Sequence, residues 1–165
     1  MAQKREFSVP TPQSPVTHER FNIVRHKSDE FHLIKDITPI YSFQYISLQS
    51  SPVCFNGYNI AVKDFHRLFD SFKKYSTITY AQMRANKAFH FHEIIWDDVE
   101  LKEIDFLKCL TPKITDDVQT PTVYQFDVFE EARIIGFIYC GVFYAVWLDR
   151  NHLAFNRQNR GKNRR

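Results

Sequence analysis

Residues Ala132–Phe155 read ARIIGFIYCGVFYAVWLDRNHLAF, an almost unbroken apolar run that stops at Asp149-Arg150-Asn151-His152. Two segments rich in β-branched and aromatic residues, Ala132–Tyr139 and Val142–Leu148, flank Cys140-Gly141. A two-residue connection containing glycine between such segments is the signature of a tight hairpin. Thr122–Phe129 has the same character, so the end of the chain predicts a three-stranded antiparallel meander. Strands this apolar belong to a core, and the hairpin delivers the polar cluster Asp149–His152 to the rim of the sheet. Side chains that bind or react concentrate where loops leave a rigid scaffold.

Upstream, Val62, Phe65, Leu68, Phe69, Phe72 and Tyr75 fall on one helical stripe, with Lys63, Arg67, Asp70, Lys73 and Lys74 outside it. Thr79-Tyr80-Ala81-Gln82 has the Thr-x-x-Gln form of a capping box and predicts a short helix to about Asn86. Ala88–Trp96 alternates as a strand, and Leu101, Ile104, Leu107 and Leu110 suggest a third helix ending before Pro112. Closer to the start, Arg20–Arg25, Phe31–Ile37 and Ile40–Leu48 read as two or three antiparallel strands. The expected fold class is therefore α+β, a mostly antiparallel sheet with two to three helices packed on it and a C-terminal β-meander.

A chain of 165 residues is normally one domain. With 44% hydrophobic and 16% aromatic residues, burial can offset the entropy of ordering it. Residues 1–17 hold Pro10, Pro12 and Pro15 among Ser, Thr and Gln and are expected to be a flexible arm. Residues 18–155 then form the domain, and 156–165 a basic tail. No apolar run reaches the roughly 18 to 20 residues of a membrane span, and the start MAQKREFSVPTPQSP lacks the apolar segment of a signal peptide. The expectation is a cytoplasmic protein with no membrane partner.

The formal charge of +3 conceals a segregation. Residues 97–131 carry ten acids against Lys102, Lys108 and Lys113, whereas residues 150–165 carry six bases and no acid. A tail holding Arg157, Arg160, Lys162, Arg164 and Arg165 has the composition of a phosphate-contacting arm and equally that of an ordinary solvated terminus. RNA or DNA is the partner such a chain would attract. The acidic segment has its own plain reading as a solvated face.

Missing motifs exclude several chemistries. Gly57, Gly136, Gly141 and Gly161 lie too far apart for a P-loop or a dinucleotide fingerprint, and no cofactor is expected. Cys54, Cys109 and Cys140 form no Cys-x-x-Cys pair, which argues against a disulfide framework and against a cysteine-bound zinc. Histidine, arginine and aromatic side chains remain.

In Phe89-His90-Phe91-His92-Glu93, strand alternation would place His90 and His92 on one face. Such a pair can chelate a metal with a third ligand such as His152, can supply an acid or base, or can be a polar strand surface. At the rim, Arg150 is suited to stabilising a phosphate and His152 to moving a proton near neutral pH. Arg133, opening the partner strand, should pair near Trp147–Leu148. It would then either join these residues or form a salt bridge with Asp149. Asp149 and Asn151 also have a structural explanation, as turn residues that bond the local backbone. Tyr75, Tyr80 and Arg84 are candidates for stacking on unpaired bases, although most aromatics in such a chain are core.

A small α+β chain ending in an apolar antiparallel meander, with Arg133 leading one strand and Arg150–His152 near its end, resembles the RelE/ParE-type toxins of bacterial toxin-antitoxin systems. VFYAVWLDRNHLAF also looks like the corresponding block of small bacterial and mobile-element proteins of no assigned activity. The toxin resemblance covers about residues 62–155; this chain is longer, places strands before the first helix and has an acidic middle. It implies a metal-independent endoribonuclease, with His152 or His92 moving protons and Arg150 and Arg133 neutralising the scissile phosphate. It also implies an acidic protein partner, the antitoxin. The alternative is a noncatalytic module that binds nucleic acid or a protein.

Overall fold

In the computed structural model of the chain, residues 29–49, 51–56, 60–110 and 120–154 are described. The arm 1–17, the strand expected at Arg20–Arg25 and the basic tail lie outside them. In chain order the elements are α1 (Asp29–Ile34), β1 (Ile40–Ser42), α2 (Val62–Tyr75), α3 (Tyr80–Ala85), β2 (His92–Glu93), α4 (Glu103–Leu110), β3 (Val123–Phe129), β4 (Ala132–Tyr139) and β5 (Val142–Asp149). Two 3₁₀ turns, Lys87–Phe89 and Trp96–Asp98, flank β2.

The meander forms as its residues dictate. At the hairpin tip Cys140 and Gly141 both take left-handed φ values, 49° and 79°, the conformation of a two-residue turn whose twist matches the strands it joins. Strand order is β1-β5-β4-β3-β2, with β1 parallel to β5 and the other pairings antiparallel. The sheet is thus mostly antiparallel, and the class is α+β.

Both faces of the central strands are buried, which demands an apolar layer on each side. On one face α2 and α3 supply Leu68, Phe72, Tyr75, Tyr80 and Met83 against Tyr124, Phe126, Ile134 and Leu148. On the other, α4 and the preceding loop supply Phe106 and Ile94 against Val123, Ile135, Phe137 and Trp147. Two bulges adjust the strands to these layers. Gly136 pairs with Ala145 but Ile135 with Trp147, so Val146 is an extra residue and both Val146 and Trp147 reach the second layer. The shift between Asp127 and Phe129 does the same for Val128 and Phe129 in the first.

Gly136 sits where the first bulge brings the strands together. A Cβ there would lie 2.1 Å from the Tyr144 carbonyl oxygen and 2.8 Å from the Phe143 ring, so only glycine fits.

Helix α2 and the capping-box helix match the sequence pattern. Thr79 Oγ1 accepts from the Gln82 amide at 3.2 Å, and Gln82 Oε1 accepts from the Thr79 amide at 2.8 Å. The α2 stripe, however, is only partly buried: Leu68, Phe72 and Tyr75 are covered while Val62 is 78% and Phe69 60% exposed.

Three strand expectations need correction. Phe31–Ile37 is mostly helix, because Phe31 and Ile34, one turn apart, both pack against the first layer. Ile40–Leu48 shortens to the three residues of β1 before the chain turns. Ala88–Trp96 breaks at His90, whose left-handed φ of 47° ends a 3₁₀ turn and leaves only β2 paired.

Gly136→Ala is expected to destabilise the protein by roughly 3 kcal/mol through overpacking against backbone. Denaturant unfolding of the variant beside the parent chain checks this.

Candidate functional site

The rim cluster after β5 is organised by Asp149, which is fully buried. Its carboxylate accepts from the amides of Leu153 at 2.8 Å and Ala154 at 2.7 Å, closing a turn in which His152 takes φ 55°. The Ala154 carbonyl then accepts from the Glu100 amide at 2.9 Å. Asp149 therefore has the backbone-bonding role its residue type allows.

Arg133 is the cross-strand partner of Asp149, one position beyond the simple count because of the bulge at Val146. Its salt bridge nevertheless goes to its other neighbour: Arg133 Nε lies 2.6 Å from Asp127 Oδ1 on β3. This contact is ionic rather than a well-aligned hydrogen bond. Arg133 Nη1 also donates to the Ala132 carbonyl at 3.1 Å. The guanidinium is buried and its charge is answered inside the fold.

Arg150 points to the opposite side of the sheet. Its guanidinium lies over the Phe129 ring, with Nε 3.2 Å from Asp64 Oδ2 and Nη2 2.9 Å from Glu130 Oε2. Arg67 also pairs with Glu130. Asp64, buried in the first turn of α2, accepts a further bond from the Ala61 amide at 3.1 Å. Burial by itself raises the Asp64 pKa, but the Ala61 amide and Arg150 outweigh it and hold the carboxyl below its ordinary value. Hydrogen bonds from Arg67 and then Arg150 lower Glu130 likewise. Arg150 is thus the clasp between β5, the β3–β4 turn and α2. Sequence reading missed Asp64 and Glu130 as its partners, since nothing local connects them to residue 150.

The two histidines expected on one strand face each meet a different side chain of β3. His92 Nδ1 lies 2.9 Å from the Glu93 carbonyl, which can only accept, so this nitrogen carries the proton; Nε2 then accepts from Gln125 Nε2 at 2.9 Å. His90 meets the residue two further along β3. Its Nδ1 lies 2.8 Å from Asp127 Oδ2, the same carboxylate that holds Arg133. The Tyr75 hydroxyl stands close enough to Asp127 and Arg133 to feel both charges, and burial first, then Asp127, push its pKa up to about 12. Among the described residues, no three His, Cys, Asp or Glu side chains group as a metal would need. His90, His92 and His152 are not brought together as a ligand set.

Tyr75 and Tyr80, the stacking candidates, are core residues, and the Tyr80 hydroxyl donates to the Gly141 carbonyl at 3.1 Å. Arg84 instead covers the Phe31 ring, 4.6 Å from its centre. Beside His90, Lys74 Nζ is 4.8 Å from the centre of the half-buried Phe89 ring, and Lys87 is exposed.

Residues 41–165 match the family described as uncharacterised protein UU032. The chain belongs to that family. No curated protein and no solved structure matches it. The family match includes α2, the His90–Asp127–Arg133 corner and the Arg150 clasp. None of the helices among the described residues is long and apolar enough to cross a membrane.

Arg150→Ala leaves buried Asp64 with the Ala61 amide as its remaining bonding partner and is expected to cost roughly 2 kcal/mol. Because the Asp64 and Glu130 pKa values are depressed in the fold, the stability they confer is present above the ordinary carboxylate range. It is lost as pH falls through their folded values. Chemical unfolding of parent and Arg150→Ala should therefore differ at pH 7 and converge towards pH 3; a constant difference across that range would contradict the assignment.

Proposed function

We propose that the protein binds the phosphate backbone of single-stranded nucleic acid through the face formed by α2, α3 and the Lys87–Phe89 turn. One observation carries this reading: the sheet separates the charges. On the α2 and α3 side lie Lys63, Lys73, Lys74, Arg84 and Lys87, together with Arg67 paired to Glu130, against Asp70 and the internally paired Asp64. On the α4 side lie Asp97, Asp98, Glu100, Glu103 and Asp105, against Lys102 and Lys108. A polyanion is steered to the first side and repelled from the second.

The same geometry favours a binding module over a toxin-type nuclease built on His152, Arg150, His92 and Arg133. Moving either arginine onto a phosphate would break an ion pair that the fold already makes, and both nitrogens of His92 are engaged. An acidic protein partner of the antitoxin kind would compete for the same basic face. Arg157, Arg160, Lys162, Arg164 and Arg165, which lie outside the described residues, would add to the positive charge that attracts a polyanion.

Titration of fluorescent single-stranded RNA and DNA at several salt concentrations tests this. Reversing Lys73, Lys74 and Lys87 to Glu together should weaken binding at least tenfold. It should also flatten the slope of log affinity against log salt by about 2, since each phosphate neutralised on a single strand adds about 0.7 to that slope. Glu100→Lys with Asp105→Lys, on the other side of the sheet, should not weaken it. Equal affinity of the parent and the triple variant would refute the reading.

A further inference from the structure

We infer that His90 is a catalytic base and that the nucleic acid bound beside it is RNA, which it cleaves at the phosphodiester through the ribose 2′-hydroxyl. This deepens the backbone-binding reading and rests on it. Asp127 can only accept, so the 2.8 Å contact assigns the proton of neutral His90 to Nδ1 and leaves the lone pair on Nε2. The ring is 52% exposed, so that nitrogen can meet a ligand. Asp127 cannot swing away, because buried Arg133 holds its other oxygen at 2.6 Å and is itself tied to the Ala132 carbonyl. A carboxylate that orients and supports an imidazole is the arrangement a general base requires.

Its surroundings supply the rest. Lys74 lies over the Phe89 ring, one residue before His90, and Lys87 is exposed three residues before it, so two cations for a phosphate belong to the same turn and its neighbour α2. The left-handed backbone of His90 ends the 3₁₀ turn immediately before the strand, and its ring meets Asp127. His92, two residues on, is engaged at both nitrogens.

In the step assigned to it, His90 Nε2 takes the proton of the 2′-hydroxyl and O2′ forms a bond to phosphorus. The bond from phosphorus to the 5′-oxygen breaks, and that oxygen takes a proton from water. The hydroxide so formed recovers the proton held by His90. The products are a 2′,3′-cyclic phosphate and a 5′-hydroxyl end, and no metal, oxidant or cofactor enters the balance. Asp127 and Arg133 are positioning residues.

The full chain is incubated in EDTA with total RNA and with a short mixed-sequence RNA and its 2′-deoxy counterpart, and the product ends are identified by mass spectrometry. RNA should yield cyclic phosphate ends while the deoxy strand is bound and left intact. His90→Gln should lower kcat at least 100-fold with RNA affinity unchanged. His90→Ala should regain activity with added imidazole, which a structural role would not produce. Asp127→Asn should lower kcat with KM unchanged, provided its unfolding midpoint stays close to the parent's; if it unfolds, the imidazole rescue decides alone. RNA bound by the parent chain but uncleaved, or cleavage persisting in His90→Gln, overturns the assignment and leaves the binding reading standing. Absence of RNA binding by the parent overturns both.

Discussion

Burial of β4 on both faces is the constraint on which the rest of the structure depends. A strand whose residues from Ala132 to Ile138 are all covered needs an apolar layer above it and another below. It cannot pair with β5 in simple register, because both Val146 and Trp147 are required in one of those layers. The bulge opposite Gly136 resolves this, and the strands approach so closely there that a side chain has no room. From this follow the hairpin's twist, the placement of α2 and α3 on one side and α4 on the other, and the displacement of Arg133 to face Asp149.

Polar groups at the margin of such a sheet must be satisfied within the fold or be left at considerable cost. Asp149 turns the chain, Arg133 meets Asp127, and Arg150 joins Asp64 and Glu130. These groups looked like a convergent site in the sequence because they are charged and adjacent along the chain. In space, alternation across the sheet sends Arg133 and Arg150 to opposite sides, and each finds a carboxylate there.

The end of β5 is closed by these pairings, whereas the edge of β3 carries an exposed histidine beside a carboxylate. At that edge β2 covers only Tyr124 and Gln125, leaving Asp127 accessible to His90 from the Lys87–Phe89 turn. Lys74 of α2 lies over the Phe89 ring of the same turn. The acidic residues of α4 and its approach lie beyond the sheet, so they do not neutralise it.

Local chemistry alone determined much of this protein. The apolar β-branched runs, the Cys140-Gly141 turn, the stripe of α2 and the Thr79–Gln82 capping box each act over a few residues, and each was legible in the sequence. α1 was not legible, because six residues with three apolar positions fit a strand as well as a helix until Phe31 meets Phe91 and Tyr124. The parallel pairing of β1 with β5 and the exposure of Phe69 were equally hidden. So were the partners of Arg150, which lie 86 and 20 residues away. Only the tertiary structure decided which carboxylate each arginine meets and which β3 side chain each of His90 and His92 meets. Those outcomes are set by distances between elements remote in the chain, and pattern within a short window carries no record of them.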